Sequence, residues 1–210
     1  RELAQEQRKS VDHIIKAGQH LLNLINEILD ISRIEANRHQ LSLEPVRLSN
    51  VVCEGLTLIQ PLAAQRAVEI DDCSLDPELY VHADRQRLAQ VLLNLLSNAV
   101  KYNREGGEVN LVCETTDERV RLGVCDTGPG IPVERLDQLF VPFERLGAEH
   151  SGVEGTGLGL ALSKRLVETM EGTLTVDTAP GEGSVFWVEL IRVSNPTEVA
   201  TRRGAIARLA

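Results

Sequence analysis

Residues 92–102, Leu92-Leu93-Asn94-Leu95-Leu96-Ser97-Asn98-Ala99-Val100-Lys101-Tyr102, decide the fold. Their apolar period continues a run from about Asp84 and marks one long helix. On it Asn94, Asn98 and Lys101 stand at i, i+4 and i+7, so two amide oxygens and an ammonium share a face. Such a face suits a hydrated Mg2+ and phosphate oxygens; taken alone, it equally describes a solvated helix surface.

Downstream the period changes from helical to alternating. Glu108 to Glu114 and Val120 to Cys125 read as a hairpin around Thr116 and Asp117. A glycine-rich, charged stretch follows, then a helix from about Leu158 to Met170 and strands at Thr173 to Asp177 and Ser184 to Arg192. Upstream lie a strand around Leu41, Leu43, Val46 and Leu48, a helix from Asn50 to about Arg66, and short strands at Val68 to Ile70 and Leu79 to His82. The elements add up to an α+β fold, an α/β sandwich of a mixed, mainly antiparallel sheet covered by helices. Before it, Val11, Ile14, Gly18, Leu21, Ile25, Ile28 and Ser32 alternate by three and four. This heptad seam on a single helix predicts burial against a second subunit or partner helix, with folding back onto its own domain as the alternative. The expected division is residues 1–40 as a helical appendage, 41–193 as the main domain and 194–210 as a tail or linker.

The 210 residues are 42% hydrophobic but only 3% aromatic, and the net charge of -9 argues against binding nucleic acid or anionic membrane. Cys53, Cys73, Cys113 and Cys125 lack metal-ligand spacing and read as small buried residues of a reducing compartment. No stretch is apolar enough to span a membrane, and a start at Arg1 suggests a fragment; a cytoplasmic location is expected, with membrane anchoring of a full-length protein left open.

Three further motifs carry chemistry. In Asp126-Thr127-Gly128-Pro129-Gly130 a carboxylate ends a strand, and the glycines let the backbone approach a planar ligand; a tight turn would read the same way. Phe140-Val141-Pro142-Phe143-Glu144-Arg145 follows. Gly155-Thr156-Gly157-Leu158-Gly159 precedes a helix, whose free N–H groups favour phosphate, although a glycine loop alone is weak. A charged loop stands where a dinucleotide-binding unit would need a strand.

In order and spacing these motifs resemble the asparagine box, first glycine box, phenylalanine box and second glycine box of sensor histidine kinases, within the gyrase, chaperone and mismatch-repair ATPase superfamily. The resemblance spans about residues 10 to 192. It implies ATP and Mg2+ as ligands. Asn98 would coordinate the metal, Asn94 would support it, Lys101 would meet a phosphate and Tyr102 would lie by the nucleotide. Asp126 would accept from the adenine amine, with Gly128, Gly130 and Ile131 shaping its pocket. Gly155, Thr156, Gly157, Leu158 and Gly159 would form the phosphate lid, Arg145 would reach the terminal phosphate, and Phe143, with Phe140, would anchor the lid. Gly181-Glu182-Gly183-Ser184 resembles the last glycine box, but Val185 replaces a threonine common in relatives, which puts the hydroxyl contact to adenine in doubt.

ATP-hydrolysing relatives carry a glutamate base four residues before the magnesium asparagine; here that residue is Asn94, and an amide cannot take a proton from water. The resemblance therefore implies transfer to a histidine, with a response regulator receiver domain as partner and a homodimer through the N-terminal helix. The stretch ending Leu29-Asp30-Ile31-Ser32-Arg33-Ile34-Glu35 resembles the second dimerisation helix. None of His13, His20, His39, His82 or His150 has the acceptor's following acidic residue, so the acceptor is expected upstream. A serine kinase of the anti-sigma type and a non-catalytic nucleotide-switched module are the competing readings.

Overall fold

The computed structural model describes residues 5–35, 41–71, 75–145 and 155–196. Its elements are α1 (Gln5–Glu35), β1 (Glu44–Arg47), α2 (Leu48–Gln65), β2 (Glu69–Asp71), β3 (Tyr80–Ala83), α3 (Arg85–Lys101), β4 (Glu108–Thr115), β5 (Arg119–Asp126), a 3-10 turn (Val133–Gln138), α4 (Gly159–Thr169), β6 (Thr173–Ala179) and β7 (Gly183–Val193). The 3-10 turn lies in the stretch that sequence alone assigned to loop. Its run is too short for a periodic signal.

Seven strands form one sheet in the order β1-β3-β7-β5-β4-β2, with β6 also paired to β7. Every pairing is antiparallel except β2 with β4. The α+β fold is the one the sequence suggested. Alternation sets the two faces. Val109 and Leu111 of β4, Val120, Leu122 and Val124 of β5, and Phe186, Val188 and Leu190 of β7 are buried in one core. That core is roofed by α3, whose Leu88, Val91, Leu92, Leu95 and Leu96 are at most 1% exposed, and by α2 behind it. Gly55 of α2 gives Leu96 its space. On the opposite face Trp187 lies across Gly123, with the Arg121 guanidinium 4.4 Å from its ring centre and its indole N–H donating to Asp177 at 2.8 Å.

Asp84 starts α3 by accepting from the Arg87 amide at 3.1 Å, and its second oxygen accepts from Ser42 N at 3.1 Å. One carboxylate thus caps the central helix and fixes the chain entering β1. Pro45 lies in β1, which ends the sheet, where no second neighbour needs its missing N–H.

The long helix α1 lies against α4 and α3 through its last turns. Asp30 meets Arg87 at 3.2 Å and accepts from Gln90 at 3.4 Å, and the charged pair is about five-sixths buried, at 16% and 17% exposure. The seam residues stay open: Ile14 is 71% and Leu21 59% exposed, and Val11, Ile25 and Ile28 are exposed too. α1 thus meets its own domain through Asp30 while these seam residues stay exposed. Asp30→Ala is expected to weaken α1 docking by about 2 kcal/mol, the worth of a hydrogen-bonded charge. Hydrogen exchange should show faster exchange confined to α1, with the sheet amides unchanged.

Cys53 is exposed on α2, where its side chain leaves the core, which corrects the expectation that the cysteines are buried; Cys113 and Cys125 are half-buried. Cys73 and the tail beyond residue 196 lie outside the described residues. Among the described residues no helix is long and apolar enough to cross a membrane.

Candidate functional site

A cleft of about 650 Å³ opens between α3, the β5 end, the 3-10 turn and the start of α4. At one end stands Asp126, last residue of β5, paired across the sheet with Ser184 at the start of β7. Its Oδ1 accepts from Gly128 N at 2.9 Å. Burial raises its carboxyl above the ordinary carboxylate range, and the amides of Gly128 and Ser184 offset part of that rise. A half-buried acceptor at the end of a strand suits a donor on a flat ligand.

At the other end α3 presents Asn94, Asn98 and Lys101 to the cleft, with Tyr102 at its mouth. The residues expected from sequence therefore converge in space: Asn94, Asn98 and Lys101 line one cleft with Arg145, Gly155, Thr156 and Gly157. Gly130 and Ile131 line the wall between the two ends.

Three expected residues are placed elsewhere. Leu158 is 1% exposed and points into the core, Phe143 is 62% exposed with its ring outside the cleft, and Gly128 is buried beneath Asp126, where a Cβ would come 2.8 Å from Asp126 Oδ1 and 2.9 Å from Tyr102 O. Phe143 has φ +69°, rare for a bulky residue, and its N–H donates to Gly157 O at 3.0 Å. Gly157, at φ +74°, packs against that same backbone. The phenylalanine and glycine motifs are thus one interlocked loop pair. Phe140 sits beneath Lys164, whose ammonium is 4.7 Å from its ring centre. Residues 146–154, between them in the chain, lie outside the described residues, as do His39 and His150; His13 is exposed on α1 and His82 lies in β3.

Residues 83–194, more than half of the chain, match the family described as Histidine kinase-, DNA gyrase B-, and HSP90-like ATPase. The chain belongs to this family. Within it the similar proteins are sensor histidine kinases. Over 201 residues the chain is 39% identical to the circadian input-output histidine kinase CikA of Synechococcus elongatus, covering 93% of this chain and 27% of that protein. Over 195 residues it is 40% identical to the sensor protein GacS of Pseudomonas syringae, covering 90% of this chain and 22% of that protein. The chain thus spans about a quarter of the length of these curated relatives. Among solved structures, full-length ShkA in complex with AMPPNP superposes with a TM-score of 0.79 at 35% identity, covering 93% of this chain and 41% of that one. The sheet with its helices is the histidine kinase ATPase fold, and the domain is of the ATP-binding kind.

In this histidine kinase domain several cleft groups escaped sequence reasoning. Thr178 accepts from Ile131 N at 3.0 Å and donates to Gly183 O at 2.8 Å. The Thr178 and Ser184 hydroxyls also share a hydrogen bond at 3.0 Å. Ser184, 6% exposed, lines the cleft together with Asp126, whereas Val185 is absent from the cleft wall. Glu27 and Ile15 of α1 also reach the cleft, and Glu27 accepts from the Thr156 hydroxyl at 2.7 Å. Arg135 of the 3-10 turn and Glu144 add charges at the rim. Only Ser184, inside a glycine motif, and Glu144, inside the phenylalanine motif, left a signal in the sequence.

Proposed function

We propose that the chain is the catalytic core of a sensor histidine kinase that binds Mg-ATP in this cleft and transfers the γ-phosphoryl to a histidine on a helix upstream of α1, for relay to an aspartate of a response regulator. The observation that carries this reading is one cleft lined by the Asp126 carboxylate and by Asn94, Asn98 and Lys101 of α3. Asp126 accepts the adenine amine, with Ser184 beside it. Asn98 holds Mg2+, which supplies charge neutralisation at the phosphates. Asn94 supports it and offers no base for hydrolysis. Lys101 and Arg145 stabilise the charge on the transferred group, and Gly155, Thr156, Gly157 and Gly159 close over the phosphates. The chemistry is an in-line displacement: a bond forms from an imidazole nitrogen to the γ-phosphorus, the β–γ bridging P–O bond breaks, and ADP leaves with the electron pair.

On this reading residues 1–40 belong to the dimerisation domain, with the second subunit covering the open seam of α1; residues 41–193 are the catalytic domain and 194–210 a linker. The setting is cytoplasmic, with no nucleic acid or membrane contact by this part. Calorimetry with ATP, with and without Mg2+, should show tighter binding with the metal. A chain extended upstream by the acceptor helix should then gain acid-labile phosphate. Binding without transfer would leave a nucleotide-switched module, and acid-stable phosphate on an added protein would point to a serine kinase.

The raised carboxyl of Asp126 gives a pH signature. The ionised form receives the amine, so ATP affinity should fall as pH is lowered through a value above the ordinary carboxylate range. Calorimetry in a pH series checks this. An affinity that stays flat down to the ordinary carboxylate value would remove Asp126 from the base contact.

A further inference from the structure

We infer that Ser163 is a positioning residue for the metal end of the cleft: its hydroxyl fixes the Asn94 amide so that the amide oxygen faces the waters of the cation held at Asn98. The inference rests on the Mg-ATP reading above. Asn94 and Asn98 occupy successive turns of α3 and both line the cleft. Ser163, on α4, is 2% exposed and does not line it. It accepts from Asn94 Nδ2 at 2.9 Å, so anything it does for a ligand passes through that amide. A buried hydroxyl is costly without a partner, and the inward face of α4 is otherwise apolar, with Ala161, Leu162, Leu166 and Val167.

The same helix shapes a slot for the other half of the amide. A Cβ on Gly159, one turn before Ser163, would collide with Asn94 Oδ1. Gly159 thus serves first as the space into which the Asn94 side chain fits. The amide is held from two sides: its nitrogen donates to Ser163, and its oxygen lies against Gly159, which also lines the cleft. That choice matters chemically. Magnesium keeps several of its waters, and those waters donate hydrogen bonds, so an outer partner must be an acceptor. A freed amide could turn its NH2 toward them and offer none.

The test is the Mg2+-dependent gain in ATP affinity, the ratio of affinities in Mg2+ and in EDTA, for wild type, Ser163→Ala, Asn94→Ala and the double variant. Loss of a supporting partner of a metal site costs about 10-fold or more in metal affinity. The gain should fall about 10-fold in Ser163→Ala, while metal-free ATP affinity and Tm stay near wild type. The double variant should be no worse than Asn94→Ala. A Ser163→Ala protein with the wild-type gain, equal losses with and without Mg2+, or additive losses in the double variant would each overturn the role of Ser163 and leave the Mg-ATP reading intact. A wild-type protein whose ATP affinity ignores Mg2+ would overturn both.

Discussion

Asp126→Asn is expected to lower ATP affinity by about 10- to 100-fold while raising the Tm of the nucleotide-free protein. The first effect is the loss of a charge-assisted hydrogen bond, about 1.5–3 kcal/mol, together with an amide NH2 turned toward the amine it should accept from. The second follows from the direction of the carboxyl shift. Burial raises the folded carboxyl above its unfolded value, so the folded state holds its proton more tightly. The stability this proton confers is complete below the unfolded carboxylate value and is lost as pH rises through the raised folded value. At neutral pH the wild type therefore carries a desolvated charge that asparagine lacks, while asparagine Oδ1 can still accept from Gly128. Calorimetry for affinity and scanning calorimetry for Tm check the two signs. Parallel losses of affinity and stability would make Asp126 a structural residue. Cys125 gives an internal control: burial and then the Asp126 charge raise its thiol, so neutralising Asp126 should speed thiol labelling at fixed pH.

The largest loss of stability is expected from Gly183→Ala. Gly183 has φ +88°, and a Cβ there would collide with the Asp126 carbonyl oxygen and come 3.1 Å from Thr127 Cα. Both atoms are backbone at the junction of β5 and β7, so neither can swing aside. The left-handed conformation alone costs alanine about 1–2 kcal/mol, and the collision adds to it, for a total of roughly 3 kcal/mol or more. In a domain of this size that corresponds to a Tm fall of roughly 6–12 °C. Gly181 is the matched control, with φ +85° but nothing within 4 Å of its Cβ position. Gly181→Ala should cost only the conformational part. Equal losses at the two positions would show that the close approach to Asp126 contributes nothing.

Sequence reading placed most of the helices and strands within a residue or two, because long periodic runs such as α3 and paired strands such as β4 and β5 carry their own pattern. It also singled out Asn94, Asn98 and Lys101, whose spacing along α3 already fixes the face they share, and Asp126, which the end of a strand and the glycines after it mark. What it missed depends on contacts far apart in the chain. Thr178 is an ordinary β6 residue until Ile131 and Ser184 are brought to it. Glu27 is one of many charges on α1 until the packing of α1 on α4 sets it against Thr156. Gly159 reads as one more glycine of a phosphate loop, and only the α3–α4 packing reveals that the Asn94 side chain occupies its missing Cβ. Phe143 and Leu158 show the converse: both sit inside short motifs, but loop geometry turns one ring outward and sends the other side chain into the core.

The strand order has a bearing on how such a molecule is made. β7 is the last of the seven strands to be synthesised, yet it runs through the interior of the sheet, against β5 along one edge and against β6 and β3 along the other. Its pairing of Val193 with Tyr80 joins the end of the last strand to the start of the third. Until β7 leaves the ribosome, β3 and β6 lack their neighbour and the β4–β5 hairpin carries an open apolar edge. Folding therefore waits on a late, non-local zippering step, which is slow and leaves an aggregation-prone nascent chain. A chain stalled before Ser184 should be held by chaperones, and one released after Val193 should close the sheet in a single cooperative phase.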